Sequence, residues 1–267
     1  MHILCRLIVF FTVVLFAGCE RWEYSPNQRF SNKTPVNLNA RNLEALSNTV
    51  PDDTVRFILS GDTQRRYGEA EGFVKKANTM KGIDFVVIAG DISDFGLLQE
   101  MEWVAEIYEE LKVPYVAVIG NHDMAANGTS IFRQVFGELN YSFAYGGYKF
   151  ICLNTNSREV NFDGSLPDVN WLQDQLKPAA GINGQVVISH VSPFSGDFDR
   201  KLEMPFVTAL ENAGNCLGSL HAHDHNAGQY RPYNNSIPFI VASAILKRQF
   251  TLVEIIDGKL EAREMEY

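Results

Sequence analysis

Apolar residues between positions 54 and 119 form short continuous runs, and these runs alternate with stripes of apolar residues at helical spacing. Three runs have the length and composition of buried strands. They are Thr54–Ser60, Phe85–Ala89 and residues 115–119. The stripes extend from Ala70 to Met80 and from Leu97 to Leu111. This order of strand, helix, strand, helix and strand predicts the start of a parallel sheet with right-handed crossovers.

The second half of the chain is richer in strand-like segments. Tyr141–Tyr145 and residues 148–153 flank Gly146-Gly147, which predicts a hairpin. Further strands are predicted at residues 185–189, 217–220, 237–244, 250–256 and 259–265, and helices at residues 170–176 and 205–213. The sequence shows no repeat and no second domain boundary, so it predicts one folded domain.

Polar turns follow five of the predicted strands, and each turn carries side chains that can bind a metal ion. The turns are Gly61-Asp62-Thr63-Gln64, Gly90-Asp91-Ile92-Ser93-Asp94, Gly120-Asn121-His122-Asp123, His190 and His221-Ala222-His223. Because parallel strands bring their carboxyl ends to one edge of a sheet, these side chains are expected to converge. Capping of the following helix explains a single Asp or Asn in such a turn. Five such turns together favour a shared site.

Two carboxylates, an amide and several imidazoles at one sheet edge require a cation, because unpaired buried carboxylates repel each other. Mixed nitrogen and oxygen ligands suit Mn, Fe, Zn or Co, whereas Mg and Ca prefer oxygen ligands. The formal net charge of −9 argues against nucleic acid as the main partner, since Lys and Arg drive binding to its phosphates. Bound metal ions can still supply the positive charge that a phosphate ester needs.

The five turns, taken in order, resemble the motifs of the calcineurin-like metallophosphoesterase family, and the resemblance extends from about residue 53 to the C-terminus. It implies an α/β (α+β) fold over residues 53–267, in the form of a four-layer αββα sandwich of two mixed sheets flanked by helices. It also implies a site for two metal ions. The first ion would be bound by Asp62, Gln64, Asp91 and His223, and the second by Asp91, Asn121, His190 and His221.

The same resemblance implies an enzyme that hydrolyses phosphate mono- or diesters. A hydroxide that bridges the two ions would attack phosphorus in line with the leaving group. His122 would bind the phosphate or protonate the leaving oxygen, and Asp94 would orient His122.

For four further polar residues near these motifs, the sequence predicts less specific roles. Arg65 and Arg66 follow the first turn and are candidates for binding substrate, although solvated arginines at a helix start are equally expected there. Asp123 is expected to cap a turn. His225 is expected to be a solvated surface histidine without a role in the site.

Gln64 departs from the family pattern, in which a histidine usually occupies this position. An amide oxygen is a weaker and harder ligand than imidazole. The first ion is therefore expected to bind less tightly, with Mn or Fe favoured over Zn.

The departure at Gln64 leaves open a second interpretation of the function, a non-catalytic metal-binding or scaffold protein with the same fold. His122 and Asp94 argue against it, because a scaffold needs no proton donor.

The N-terminal 18 residues are typical of a secretory signal peptide, with one arginine, a short apolar run and small residues before Cys19. Phe16-Ala17-Gly18-Cys19 resembles a bacterial lipobox, which predicts a lipid on Cys19 and a lipoprotein anchored at the periplasmic face or the cell surface. A simple signal peptide and an uncleaved anchor are the alternatives. Residues 19–52 are polar and predict a spacer, with Trp22-Glu23-Tyr24 and Asn42-Leu43 packing back onto the domain.

Overall fold

The computed structural model describes residues 30–267, so the predicted signal peptide, Cys19 and Trp22-Glu23-Tyr24 lie outside the described part of the chain. The strands are β1 Thr54–Ser60, β2 Phe85–Ala89, β3 Tyr115–Val118, β4 Tyr141–Tyr145, β5 Tyr148–Cys152, β6 Gly184–Ile188, β7 Cys216–His221, β8 Gly228–Tyr230, β9 Phe239–Val241, β10 Gln249–Ile256 and β11 Lys259–Glu266. The α-helices are α1 Leu38–Ser47, α2 Tyr67–Ala77, α3 Leu98–Tyr108, α4 Gly128–Val135, α5 Val169–Gln175 and α6 Arg200–Asn212. Short 3₁₀ turns lie at His122–Met124, Ser157–Val160 and Ile245–Lys247.

The strands form two sheets, and both sheets mix parallel with antiparallel pairs. The first sheet has the order β11-β10-β1-β2-β3, in which β1, β2 and β3 run parallel. The second has the order β4-β5-β6-β7-β9-β8, in which β5, β6, β7 and β9 run parallel. The carboxyl ends of these parallel strands form the edge at which open α/β sheets bind ligands.

Helices cover the outer face of each sheet, and an apolar layer fills the space between the sheets. Helices α2, α3 and α4 pack on the first sheet, and α5 and α6 pack on the second. Between the sheets, the rings of Phe57 and Phe85 stack at a centroid distance of 4.9 Å. A strand such as β2, buried along its whole length, needs cover on both faces. The predicted four-layer αββα architecture is confirmed.

The folded unit begins before residue 53, because helix α1 lies within the segment predicted as a spacer. Asn39 on this helix is buried against the edge strand β3. Its Nδ2 donates to the Ala117 carbonyl at 2.9 Å, and the Ala117 amide donates to its Oδ1 at 2.8 Å. The side-chain amide thus replaces a neighbouring strand at an otherwise open sheet edge. The amide of Tyr115 also donates to Asn42 Oδ1 at 3.2 Å, in agreement with the predicted packing of Asn42-Leu43.

Strand β9 is shorter than the run predicted at residues 237–244. After Val241 the chain leaves the second sheet, and the amide of Ile245 donates to the carbonyl of Gly61 at 3.2 Å. Ala244 also forms an isolated parallel bridge with Gly61. This crossing joins the two sheets at the edge where the polar turns lie.

The four helices predicted from the sequence are present, one of them with an extension, whereas helix α4 Gly128–Val135 was not predicted. Helix α6 begins at Arg200 rather than at Pro205, because Asp199 caps it and accepts a hydrogen bond from the amide of Lys201 at 2.9 Å. Within residues 30–267, every helix is too short or too polar to cross a lipid bilayer.

Candidate metal centre

The turns after β1 and β2 hold two aspartates in the left-handed backbone region. The φ angle is 55° at Asp62 and 53° at Asp91. This conformation costs about 1–3 kcal/mol for a residue other than glycine and concentrates at functional sites. The amide of Asp62 donates to the Gly90 carbonyl at 3.1 Å, and the amide of Gln64 donates to the Asp91 carbonyl at 2.9 Å. These hydrogen bonds lock the two turns side by side.

Two glycines allow neighbouring turns to approach closely at this edge. A Cβ atom on Gly120 would lie 2.0 Å from the backbone nitrogen of Asp91. A Cβ atom on Gly61 would lie 2.7 Å from the Cβ of Ala222. A larger residue at either position would separate the turns, so both glycines are needed to bring polar side chains from different strands together.

Asp91, Asn121, His190 and His223 converge at the strand ends. The Oδ1 of Asn121 lies 3.1 Å from His190 Nε2 and 3.0 Å from His223 Nδ1. Asp91 Oδ1 lies 3.3 Å from His190 Nε2. One ligand atom each from Asp91, His190 and His223 lies within 4.8 Å of the others. The spacing is that of side chains able to share one metal ion.

The far ring nitrogens of the two histidines are already occupied. His190 Nδ1 lies 2.6 Å from the Ala89 carbonyl, and His223 Nε2 lies 3.1 Å from Asp197 Oδ2. Both oxygens only accept hydrogen bonds, so these nitrogens carry the proton in a neutral ring. The remaining nitrogens then direct lone pairs at the oxygens of Asn121 and Asp91. Converging lone pairs of this kind fit a bound cation.

The electrostatics of His190 lead to the same conclusion. Complete burial lowers the pKa of His190, but the adjacent Asp91 carboxylate outweighs burial and raises the pKa to about 10. Burial likewise raises the pKa of Asp91, and His190 outweighs it and lowers the pKa. The Asp91 carboxylate therefore stabilises a positive charge at the His190 nitrogen that faces it. A metal ion bound here would take the place of the proton on that nitrogen and leave the imidazole neutral.

Asp62 marks a second position that fits a cation. Its side chain is completely buried, yet neither carboxylate oxygen accepts a well-formed hydrogen bond within residues 30–267. His225 Nε2 lies 3.4 Å from Asp62 Oδ1, and this carboxylate raises the pKa of His225. A buried carboxylate without donors is costly unless it binds a positive charge. Gln64 belongs to the same turn, and its side-chain amide forms no hydrogen bond in the described chain.

His221 lies away from this cluster, which corrects the predicted histidine pair. Its ring nitrogens lie 3.0 Å from Ser189 Oγ and 2.9 Å from Ser219 Oγ. Burial, with a smaller effect of His190, lowers its pKa to about 3, so the ring is neutral. Strand β7 continues through His221, whereas His223 and His225 follow the strand end in left-handed conformations. The pair of histidines after the strand end is therefore His223 and His225. The His225 side chain is 45% exposed, but it contacts Asp62 and so does not lie apart from the site as expected.

His122 lies beside this cluster and contacts Asp94. The amide of His122 donates to Asp91 Oδ1 at 2.9 Å. Its Nδ1 lies 2.8 Å from the Asp94 carbonyl and 3.4 Å from Asp94 Oδ1. The imidazole is 40% exposed, so it remains accessible to a ligand at the edge.

The structure separates the two arginine candidates. Arg65 Nε lies 2.8 Å from Asp94 Oδ2, and its guanidinium lies 4.9 Å from the centre of the exposed Phe95 ring. Arg65 is therefore held beside the residue that contacts His122. Arg66 is exposed and forms no ion pair within the described residues, as expected for a solvated helix-start residue.

Asp123 caps the neighbouring turns, as the sequence predicts. Its Oδ1 accepts hydrogen bonds from the amide and hydroxyl of Ser93 at 2.7 Å and 2.8 Å. Its Oδ2 accepts from the amides of Gly120 at 2.9 Å and Ile92 at 3.2 Å. Burial, followed by the charge of Asp91, raises its pKa to about 6. Asp123 therefore links the turns after β2 and β3.

The sequence patterns do not identify two residues of this region as part of the site. They are His225 and Asp197. The signal for His225 is present, because His-x-His spacing occurs twice in His221-Ala222-His223-Asp224-His225. A rule that ligands follow the strand end would select the second pair. Asp197 lies in an irregular loop before α6, and no local pattern distinguishes it.

The comparison with family models identifies calcineurin-like phosphoesterases. The match covers residues 55–227, more than half of the 267 residues. The chain is also similar to a 3′,5′-cyclic-nucleotide phosphodiesterase of Nostoc sp., with 24% identity over 159 residues, 57% of this chain and 59% of that protein. A probable cyclic nucleotide phosphodiesterase of Fibrobacter succinogenes is 24% identical over 144 residues, 51% of this chain and 50% of that protein. The matches therefore span 50–59% of the length of these relatives.

Solved structures with the same fold include two phosphatases. A dimetal phosphatase from Danio rerio superposes with a TM-score of 0.62 at 14% identity, over 80% of this chain and 99% of that one. A purple acid phosphatase from yellow lupin has a TM-score of 0.62 at 14% identity, over 82% of this chain and 53% of that one. Likeness at such identities shows the fold alone. The match to the family model over more than half of the sequence shows that this chain belongs to the calcineurin-like phosphoesterase family.

Proposed function

We propose that this protein is a metal-dependent phosphoesterase that binds two metal ions at the edge described above. The observation that carries the proposal is the buried Asp62 carboxylate without hydrogen-bond donors, close to a second group of converging ligand lone pairs. A capping role does not explain Asp62, because a capping carboxylate accepts a hydrogen bond from a backbone amide and Asp62 accepts none in the described chain. Membership of a phosphoesterase family supports the same conclusion.

The arrangement supports a revised assignment of ligands. Asp62, Gln64, Asp91 and His225 would bind the first ion, and Asp91, Asn121, His190 and His223 would bind the second. Asp91 lies between the two groups and would be shared. Mixed nitrogen and oxygen ligands suit Mn, Fe or Zn, and the amide of Gln64 favours Mn or Fe at the first position.

The protein's own residues would bind and orient the phosphate ester. Two bound divalent ions would activate water and offset the charge on the phosphoryl oxygens. His122 is half-exposed beside the cluster and would donate a proton to the leaving oxygen. Asp94 holds the imidazole by two contacts to Nδ1, so Nε2 is the nitrogen left to face substrate. Arg65, anchored on Asp94, would bind a phosphoryl or second anionic group.

The substrate class proposed is a phosphate mono- or diester, and the curated relatives favour testing cyclic nucleotides among the diesters. The decisive assay compares p-nitrophenyl phosphate, bis-p-nitrophenyl phosphate and 3′,5′-cyclic AMP with the purified protein and Mn²⁺. We expect turnover of at least one ester, loss of activity with a chelator, and recovery when Mn²⁺ is added.

His122→Ala provides the control for contaminating phosphatases. Turnover that remains equal in this variant would contradict a catalytic site here. It would instead support the alternative, a non-catalytic metal-binding or scaffold protein on the same fold. Metal analysis of both proteins then shows whether the ions bind without catalysis.

We also propose that the protein is exported and anchored by a lipid on Cys19. The support is the leader and its lipobox-like end, Phe16-Ala17-Gly18-Cys19. Expression of the full chain in bacteria fed radioactive palmitate should label the protein, and Cys19→Ala should abolish the label. Equal labelling of both proteins, or none of either, would contradict lipid attachment at Cys19.

A further inference from the structure

The loop between β6 and α6 brings a carboxylate to one of the histidines of the cluster. Asp197 Oδ2 lies 3.1 Å from His223 Nε2. The same carboxylate is paired with Arg158, whose Nη1 lies 3.2 Å from each of its oxygens. Arg158 comes from the 3₁₀ turn Ser157–Val160 after β5, so three separate segments meet at Asp197.

We propose that Asp197 is a positioning residue that selects the tautomer of His223, and that Arg158 holds the Asp197 carboxylate in place. The inference deepens the proposed function, because the nitrogen that it exposes is the one assigned to the second metal ion. Asp197 itself would touch neither the ion nor the substrate.

The physical reason lies in the two alternative partners of the His223 ring. A carboxylate only accepts hydrogen bonds, so its contact with Nε2 places the proton on that nitrogen. Nδ1 then keeps its lone pair, 3.0 Å from Asn121 Oδ1. Without Asp197, the other tautomer could donate from Nδ1 to Asn121 Oδ1. That hydrogen bond would occupy both atoms that are needed for the metal ion.

Arg158 has the features of a supporting residue. Its side chain is 63% exposed, whereas that of Asp197 is 28% exposed. The guanidinium contacts both carboxylate oxygens and thereby restricts rotation of the carboxylate. An exposed ion pair contributes little by itself, so removal of Arg158 should have a smaller effect than removal of Asp197.

The test combines the tautomer of His223 in the metal-free protein with the affinity for Zn²⁺, a diamagnetic probe. Long-range ¹H–¹⁵N spectra of ¹⁵N-histidine-labelled protein should show the proton on Nε2 in the wild type. Asp197→Ala should shift the population towards the Nδ1-protonated form. In Asp197→Ala, Zn²⁺ should bind the second metal position about 10- to 100-fold more weakly than in the wild type. This is the usual effect of removing the hydrogen-bond partner of a histidine ligand. Arg158→Ala should weaken this binding only about threefold.

Matched variants control for changes of charge alone. Asp174→Ala removes an exposed aspartate paired with Lys177, and Arg200→Ala removes an arginine that is 62% exposed and paired with Glu203. Neither should change the His223 spectrum or the Zn²⁺ affinity. Asp197→Asn retains the size of the side chain, and we expect an effect between those of the wild type and Asp197→Ala.

The outcomes separate this inference from the proposed function. If Asp197→Ala and Asp197→Asn keep the wild-type tautomer and Zn²⁺ affinity while the wild type hydrolyses esters, Asp197 has no positioning role. If the tautomer depends on Asp197 but the wild type hydrolyses no ester, the positioning role holds and the proposed function fails.

Discussion

Asp62 and Asp91 occupy equivalent turns at the ends of neighbouring parallel strands, and both have left-handed backbone conformations. Their surroundings nevertheless differ. Asp91 Oδ1 accepts a hydrogen bond from the amide of His122 at 2.9 Å and lies 3.3 Å from His190 Nε2. Among residues 30–267, the Asp62 carboxylate accepts no hydrogen bond, and its one ion-pair contact is with His225 Nε2 at 3.4 Å.

The difference indicates that the two halves of the site are organised in different ways. The half around Asp91 is positioned by the protein, because each histidine there has an oxygen partner on its far nitrogen. The half around Asp62 has few internal hydrogen bonds, and its geometry would depend more on the bound ion. We therefore expect the second ion to bind more tightly than the first.

The largest effect is expected for the half around Asp91. His190→Ala removes a buried imidazole that lies 3.3 Å from Asp91 Oδ1 and that would bind the second ion. Activity should fall about 10³-fold, which corresponds to about 4 kcal/mol. Steady-state kinetics and elemental analysis should show loss of activity together with one bound ion. Two retained ions in a folded variant would show that His190 is not a ligand.

The next effect tests the corrected histidine pair. His225→Ala should weaken binding of the first ion and reduce activity about 10²-fold, because it removes the imidazole that lies 3.4 Å from Asp62 Oδ1. His221→Gln is the matched variant, and it should retain both ions. His221→Gln should instead lower the free energy of unfolding by about 1–3 kcal/mol, because a serine partner of His221 loses its hydrogen bond. The reverse pattern in calorimetric metal titration would restore His221 as the ligand.

Gln64→His should reduce the difference between the two halves. Imidazole is a stronger ligand than an amide oxygen for Zn, so Zn²⁺ should bind the first position about tenfold more tightly. Competition with a chromophoric chelator measures both affinities. An unchanged affinity and metal preference would place the Gln64 side chain outside the site.

The smallest effect concerns the arginine at the mouth of the site. Arg65→Ala should raise KM for a phosphate ester about three- to fivefold with little change in kcat, because an exposed charge contributes modestly to binding. Arg66→Ala differs by one position and should leave KM unchanged. Equal effects of the two substitutions would indicate general electrostatic attraction rather than a contact by Arg65.

Much of the fold could be predicted because the strands carry strong local signals. β2 is apolar throughout and buried at every position, so its presence and its two-sided cover follow from its composition. Helix α1 is different, since its polar sequence resembles a spacer. Its role depends on Asn39 meeting Ala117, 78 positions away, and no local pattern predicts that pairing.

The sequence by itself determined which kinds of ligand are available and that they follow strand ends, because strand and turn propensities act locally. The tertiary structure decided which histidines reach the edge. His221, His223 and His225 are chemically identical and equally spaced, but the sheet hydrogen bonds extend β7 through His221 and bury its ring between Ser189 and Ser219. The end of a strand is set by its neighbours in the sheet, so only the assembled fold directs His223 towards Asn121 and His225 towards Asp62.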